Sequence, residues 1–122
     1  MKTWKSRRTP VAELLYAWER DELSELIEVL HPRATLTVDG GGTMVDVPPA
    51  TGSLAVASAL LAVRDELPGS TLALGEVNAT PGIVIRSHDR VVGIVAVSAQ
   101  GPRVKSLWAV LNEAKLTHWN RN

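Results

Sequence analysis

The stretch HPRATLTVDGGG, residues 31–42, decides how the chain reads. From Ala34 to Asp39 apolar and polar side chains alternate strictly. Ala34, Leu36 and Val38 therefore turn to one face and Thr35, Thr37 and Asp39 to the other, which is the pattern of a half-buried strand. Gly40-Gly41-Gly42 breaks it, and Thr43 to Val47 reads as a short return strand before Pro48-Pro49.

Upstream of that strand the period changes from two to 3.6. Residues 1–9 hold Lys2, Lys5, Arg7 and Arg8 with Trp4 as the sizeable apolar side chain, so they read as a basic tail ahead of a single domain spanning 10–122. Thr9-Pro10 is a hydroxyl cap followed by proline at the first helical position. Val11, Leu14, Leu15 and Trp18 then form one apolar face. A second short helix, or the continuation of one bent helix, is expected from a cap candidate at Asp21, with Leu23, Leu26, Ile27 and Leu30 inward and Glu22, Ser24, Glu25 and Glu28 outward. Pro32 ends it, because the residue before a proline is pushed out of the helical region.

Downstream, Ser53 to Leu67 carries Val56, Leu60, Val63 and Leu67, with Ala57 and Leu61 beside them, and Pro68-Gly69 terminates this third helix. Four strands follow, over 70–78, 82–86, 91–98 and 103–111, separated by Thr80-Pro81-Gly82, Ser87-His88-Asp89-Arg90 and Gln100-Gly101-Pro102. Such short connections dictate antiparallel neighbours, since a parallel crossover needs about a dozen residues or more. The run Val91–Val97 is apolar on both faces, which places it centrally. The sum is an α+β domain, a curved and mostly antiparallel sheet wrapped round about three helices.

The 122 residues include 13 Lys+Arg, 13 Asp+Glu and no Cys. One domain with an ordinary core fits that length. A zero net charge argues against nucleic-acid binding by the folded part, which would be driven by surplus Lys and Arg. Without cysteine no disulfide or thiolate metal staple is possible. The longest apolar stretch, Leu54 to Val63, is far short of the ~20 residues of a membrane span, and the start lacks the apolar region of a secretory signal. The expectation is a cytoplasmic domain with no membrane contact, no cofactor and no metal.

The strong catalytic signatures are missing: there is no GxSxG, GxxxxGK[ST], HExxH or GxGxxG after a strand. The triple glycine reads as a bend rather than an anion cradle. His31, His88 and His118 are scattered over a helix end, a turn and the C-terminal tail. Asp39, Asp46, Glu76 and Asp89 are the strand-associated carboxylates. Acid–base work would require one of them to be desolvated in a pocket, whereas alternation puts Asp39 on the face opposite Leu36 and Val38. Trp18 and Trp108 read as core aromatics or as the floor of a ligand cavity.

Three motifs in order, Asp39-Gly40-Gly41-Gly42 after the first strand, VNATPGIVIR over 77–86, and RVKSLWAVLNEAKLTHWN over 103–120, resemble the SnoaL-like domain at the C-terminus of certain extracytoplasmic-function sigma factors. The resemblance covers about residues 10–120 and implies the nuclear transport factor 2 type of fold, a cone with helices inside a curved sheet. At 122 residues the chain has no room for the two DNA- and polymerase-binding sigma domains, so the expectation is a standalone domain. Glu113-Ala114 stands where the family's tail motif has Pro-Asp.

The same fold class contains ketosteroid isomerases and polyketide cyclases. A gapless register with the isomerase-like enzymes puts Leu14 where they carry an oxyanion-hole tyrosine and Val38 where they carry the general-base aspartate. Tyr16 is about 200° round the helix from the needed place, and Asp39 falls on the other face of its strand. The reading is a non-enzymatic small-molecule-binding or dimerising domain with no catalytic residue. Leu14, Trp18, Val38 and Trp108 would line a pocket for a small apolar ligand, with Asp39 and His88 at its polar rim, and the outer sheet face would form a homodimer. Two alternatives stand beside it. One is an isomerase, cyclase or hydratase using atypical residues. The other is a transcription-related module that binds a protein partner, a sigma factor in trans, through residues 112–122.

Overall fold

A computed structural model describes residues 9–40 and 47–120. The basic tail up to Arg8, Gly41, Gly42, Asp46 and most of the expected return strand over 43–47 lie outside the described residues.

Helix α1 (Pro10–Glu19) begins as its sequence dictates: Thr9 is extended, and its hydroxyl accepts the Ala12 N–H at 3.3 Å, with proline at the first position. Val11, Leu14, Leu15, Ala17 and Trp18 are buried. The cap of α2 (Leu23–Val29) differs from expectation. Asp21 sits in the left-handed region at φ 53°, and Glu22 takes the capping position without a side-chain bond. An aspartate can relieve the tight α1–α2 reversal by tolerating positive φ, so its place is the bend and not the cap.

Strand β1 (Leu30–Asp39) begins immediately after α2 and runs through Pro32. The helical spacing that includes Leu30 and the apparent stop at Pro32 thus conceal a helix that passes into a strand two residues earlier. Val47 to Pro49 form loop, and β1's described antiparallel partner is the two-residue β2 (Ala50–Thr51). Helix α3 (Ser53–Glu66) follows.

The remaining strands, β3 (Thr71–Val77), β4 (Thr80–Ser87), β5 (Arg90–Gln100) and β6 (Arg103–Val110), make an antiparallel meander. Two of its turns are two residues long with positive φ at both positions, Asn78-Ala79 and His88-Asp89. Mirror-image turns of that kind match the strand twist. Thr80 and Pro81 accordingly belong to β4 and not to the turn, and Pro81 precedes the first β4–β5 pair, Gly82 with Ala96. At Gly82 an added Cβ would lie 2.6 Å from the Val95 carbonyl oxygen, so only glycine lets the two strands approach here.

The sheet order is β2-β1-β6-β5-β4-β3. β1 lies parallel to β6, with Leu36 beside Leu107 and Thr37 beside Trp108, so the mixed sheet is antiparallel except at this junction. The three helices cover one face. Leu14, Trp18, Leu26, Leu36, Val56, Leu60, Ile83 and Val95 are each 1 % exposed or less, and Val38 packs against this cluster half-buried. The fold class expected from the sequence is the observed one.

Candidate functional site

The sheet's two faces carry opposite chemistry, because alternate residues of the same strands supply them. On β6, Val104, Leu107, Ala109 and the following Leu111 are buried toward the helices, while Trp108 between them is 51 % exposed on the outer face. Register puts Trp108 beside Thr37 of β1 and opposite Ala96 of β5. The four residues expected to line one pocket are therefore divided. Leu14, Trp18 and Val38 lie inside, and Trp108 stands outside on the other face of the sheet.

The interior offers no space at its centre. Leu14 and Trp18 are both 0 % exposed, so no water-sized volume reaches either side chain. The Trp18 indole N–H donates to the Leu60 carbonyl at 2.8 Å, which satisfies the one polar atom of this ring and joins α1 to α3. Arg64 strengthens that junction by donating to the carbonyls of Trp18 at 3.2 Å, Glu19 at 3.4 Å and Ser70 at 3.3 Å, placing a cation at the negative end of α1. Among the described residues, Ser70 is the buried polar residue, at 6 % exposed, and its hydroxyl has no hydrogen-bond partner. No described carboxylate or imidazole is buried. Tyr16 is 38 % exposed on the outside of α1.

The outer face is mixed, with apolar Val77, Ile94 and Val110 beside polar side chains, and it is indented. A hollow of about 420 Å³ is lined by Asp39, Glu76, Trp108, Lys115, His118 and Trp119, among others. A second of similar size shares Trp108, Asn78 and Ala96 with it and adds Thr35, Thr37, Ser98 and Ser106. The first hollow is walled by the residues after β6. Leu116 is fully buried, Lys115 Nζ meets Asp39 Oδ2 at 2.5 Å, and the Asn120 amide accepts the Val91 N–H at 2.7 Å and donates to its carbonyl at 2.9 Å. Asp39, expected at the rim of an inner pocket, is thus tied to the C-terminal segment on the outer face. His88 lies in the β4–β5 turn, at the other end of β4 from Asn78, and is exposed. The structure does not bring it to Asp39. Sequence reasoning missed Glu76, Lys115 and Trp119 as neighbours of Asp39, since they come from a hairpin and a tail far apart in the chain.

Among the described residues no group of three or more His, Asp or Glu could hold a metal ion, and no helix is long and apolar enough to cross a membrane.

A three-helix layer on one face of a curved, unclosed mixed sheet is the SnoaL-like, nuclear transport factor 2-like architecture, and solved structures of that type match this chain. The extracytoplasmic-function sigma factor SigJ of Mycobacterium tuberculosis is similar over 88 % of this chain at 24 % identity and a TM-score of 0.66; the match spans 43 % of that protein. An NTF2-like protein of unknown function from Cytophaga hutchinsonii is 14 % identical, with 96 % of this chain and 99 % of that one covered and a TM-score of 0.59. TerC, co-crystallised with polyporic acid, is 10 % identical at a TM-score of 0.63, covering 89 % and 93 % of the two chains. No family model and no curated protein matches the sequence.

Proposed function

We propose that this chain is a non-catalytic SnoaL-like domain that works as a binding module, self-associating through the outer face of its sheet. The observation that carries the reading is the contrast at β6: a filled interior without a buried acid or imidazole among the described residues, against a large aromatic left half in water outside. General acid–base catalysis needs a titratable group held against substrate away from bulk water, and the described residues supply none inside. An exposed tryptophan ringed by Thr35, Thr37, Ser98 and Ser106 has the composition of an interface anchor with a polar surround.

The charges at the two ends of that face support a two-fold arrangement. Arg33 and Lys105 meet at one end, where the Lys105 ammonium donates to the Arg33 carbonyl at 3.2 Å. Asp39, paired with Lys115, lies at the other. A two-fold axis lying in the interface and running across the strands would set the basic end of one copy against the Asp39 end of the other, and an isologous interface requires such self-complementarity. Ligand binding inside the cone, suggested by the sequence and by the polyporic acid complex of TerC, finds no room at Leu14 and Trp18. Static light scattering tests the reading. A dimer at micromolar concentration that Trp108→Ala converts to monomer is expected, and a strict monomer up to ~1 mM, the affinity limit of a weak contact, would refute self-association.

A further inference from the structure

We infer that the edge of β3 is a second surface for self-association, independent of the outer face. Two copies of the chain pair their β3 strands antiparallel about a two-fold axis at Leu74, joining two six-stranded sheets into one. β3 stands last in the sheet order and lacks the usual devices that blunt an edge: TLALGEV contains no Pro or Lys, pairs with β4 without a bulge and runs seven residues. The opposite edge has two of them, since β2 is two residues long and follows Pro48-Pro49. The hairpin fixes which backbone groups of β3 face out. Its two-residue turn closes on a hydrogen-bonded pair, Val77 with Thr80, so Thr71, Ala73, Gly75 and Val77 turn their groups to β4 while Leu72, Leu74 and Glu76 turn theirs to the edge. No described group bonds to them there. An axis at Leu74 sets that residue against its own copy and Leu72 against Glu76, and every such pair is of the hydrogen-bonded kind, about six backbone bonds in all.

The side chains answer to the same axis. Leu74, 48 % exposed on the helix side of the sheet, meets its copy. Glu76 comes alongside Leu72 of the second copy, two residues from Ser70, whose carbonyl the Arg64 guanidinium holds at 3.3 Å. Neither Glu76 nor Arg64 makes an ion pair among the described residues, and the two-fold brings each an opposite charge. The axis stands perpendicular to the sheet, so the outer faces stay open. A seven-residue edge is small beside the ~800 Å² per partner of a stable interface, so this pairing belongs to high concentration.

Amide hydrogen exchange followed by NMR on the full chain reads the edge directly. Between ~50 μM and ~1 mM protein the amides of Leu72, Leu74 and Glu76 should slow by at least about twofold, while those of Ala73, Gly75 and Val77, bonded to β4, stay as they were. Leu74→Lys places two ammonium groups on the axis and should abolish that dependence. Unchanged protection of Ala73, Gly75 and Val77 in the variant shows that β3 is still formed. Glu76→Lys, which sets like charge against Arg64, should weaken it without unfolding the chain, since Glu76 is exposed. Trp108→Ala should leave it intact. Exchange at Leu72, Leu74 and Glu76 that ignores concentration, or a dependence that survives Leu74→Lys, would overturn the inference. Loss of the dependence in Trp108→Ala would do the same and assign the protection to the outer face. Edge protection that persists where Trp108→Ala leaves the mass in light scattering unchanged upholds the β3 pairing and defeats the outer-face contact.

Discussion

The inner and outer faces of the sheet are built by neighbouring residues of the same strands, yet they differ in nearly every physical respect. Leu107 and Ala109 pack among side chains that exclude water, and Trp108 between them is half in solvent. Inside, the energetics are those of close packing, where the loss of a few atoms is felt at once. Outside, hydroxyls, the indoles of Trp108 and Trp119 and the Asp39–Lys115 pair contribute less to stability and are free to contribute to recognition. In the proposed reading, the side chains that recognise a partner are those the strands turn away from the helices.

Substitutions can break or sharpen that contrast. The largest effect is expected at Trp18→Ala, which empties the centre of the core and removes the bond to Leu60; a loss of about 3–5 kcal/mol in urea unfolding is anticipated. Next is Arg64→Ala. Its guanidinium bonds carbonyls of α1 and of the start of β3, so roughly 1.5–3 kcal/mol should go, even though the residue is only half-buried. Ser70→Ala should act in the opposite direction, raising the urea midpoint by the equivalent of up to about 1 kcal/mol, because it deletes a buried hydroxyl that has no partner among the described residues. Trp108→Ala should alter unfolding by no more than about 0.5 kcal/mol, as befits an exposed position, while weakening self-association at least tenfold in light scattering. Smallest is Asp39→Asn, which removes the ion pair with Lys115 at a cost of about 0.2–1 kcal/mol that should shrink when salt is raised. If Trp108→Ala proved as damaging as Trp18→Ala, the distinction between the faces would collapse.

Much of the fold was legible before any coordinates. The 3.6 period of α1 and α3, the Thr9-Pro10 start, and the period of two from Ala34 to Val38 are local signals, and local signals survive folding. Trp108 was misplaced for a definite reason. From Leu107 to Leu111 every residue is apolar, so alternation could not tell which set faces inward, and a bulky aromatic was assigned to the core on residue type alone. The neighbours of Asp39 were illegible for another. Lys115 is 76 residues away in the chain, and no periodicity carries information over that distance. Asp21 and Pro32 were each given the commonest role of their residue type, a cap and a stop, where tertiary packing required a bend and a strand. That Asp39 faces away from the helices, by contrast, followed from strand parity: it is one residue out of phase with Leu36 and Val38.

The parallel junction between β1 and β6 also sets a timetable for the chain's birth on a ribosome. Leu30 finds its partner at Val104, and Asp39 at Val110. The helices and β1 emerge early, but until the last strand leaves the exit tunnel β1 has one described companion, the two-residue β2. Loop closure over some seventy residues makes this the slow contact of the fold. The nascent domain must therefore wait, with its earliest strand unpaired along one edge, until β6 has been made.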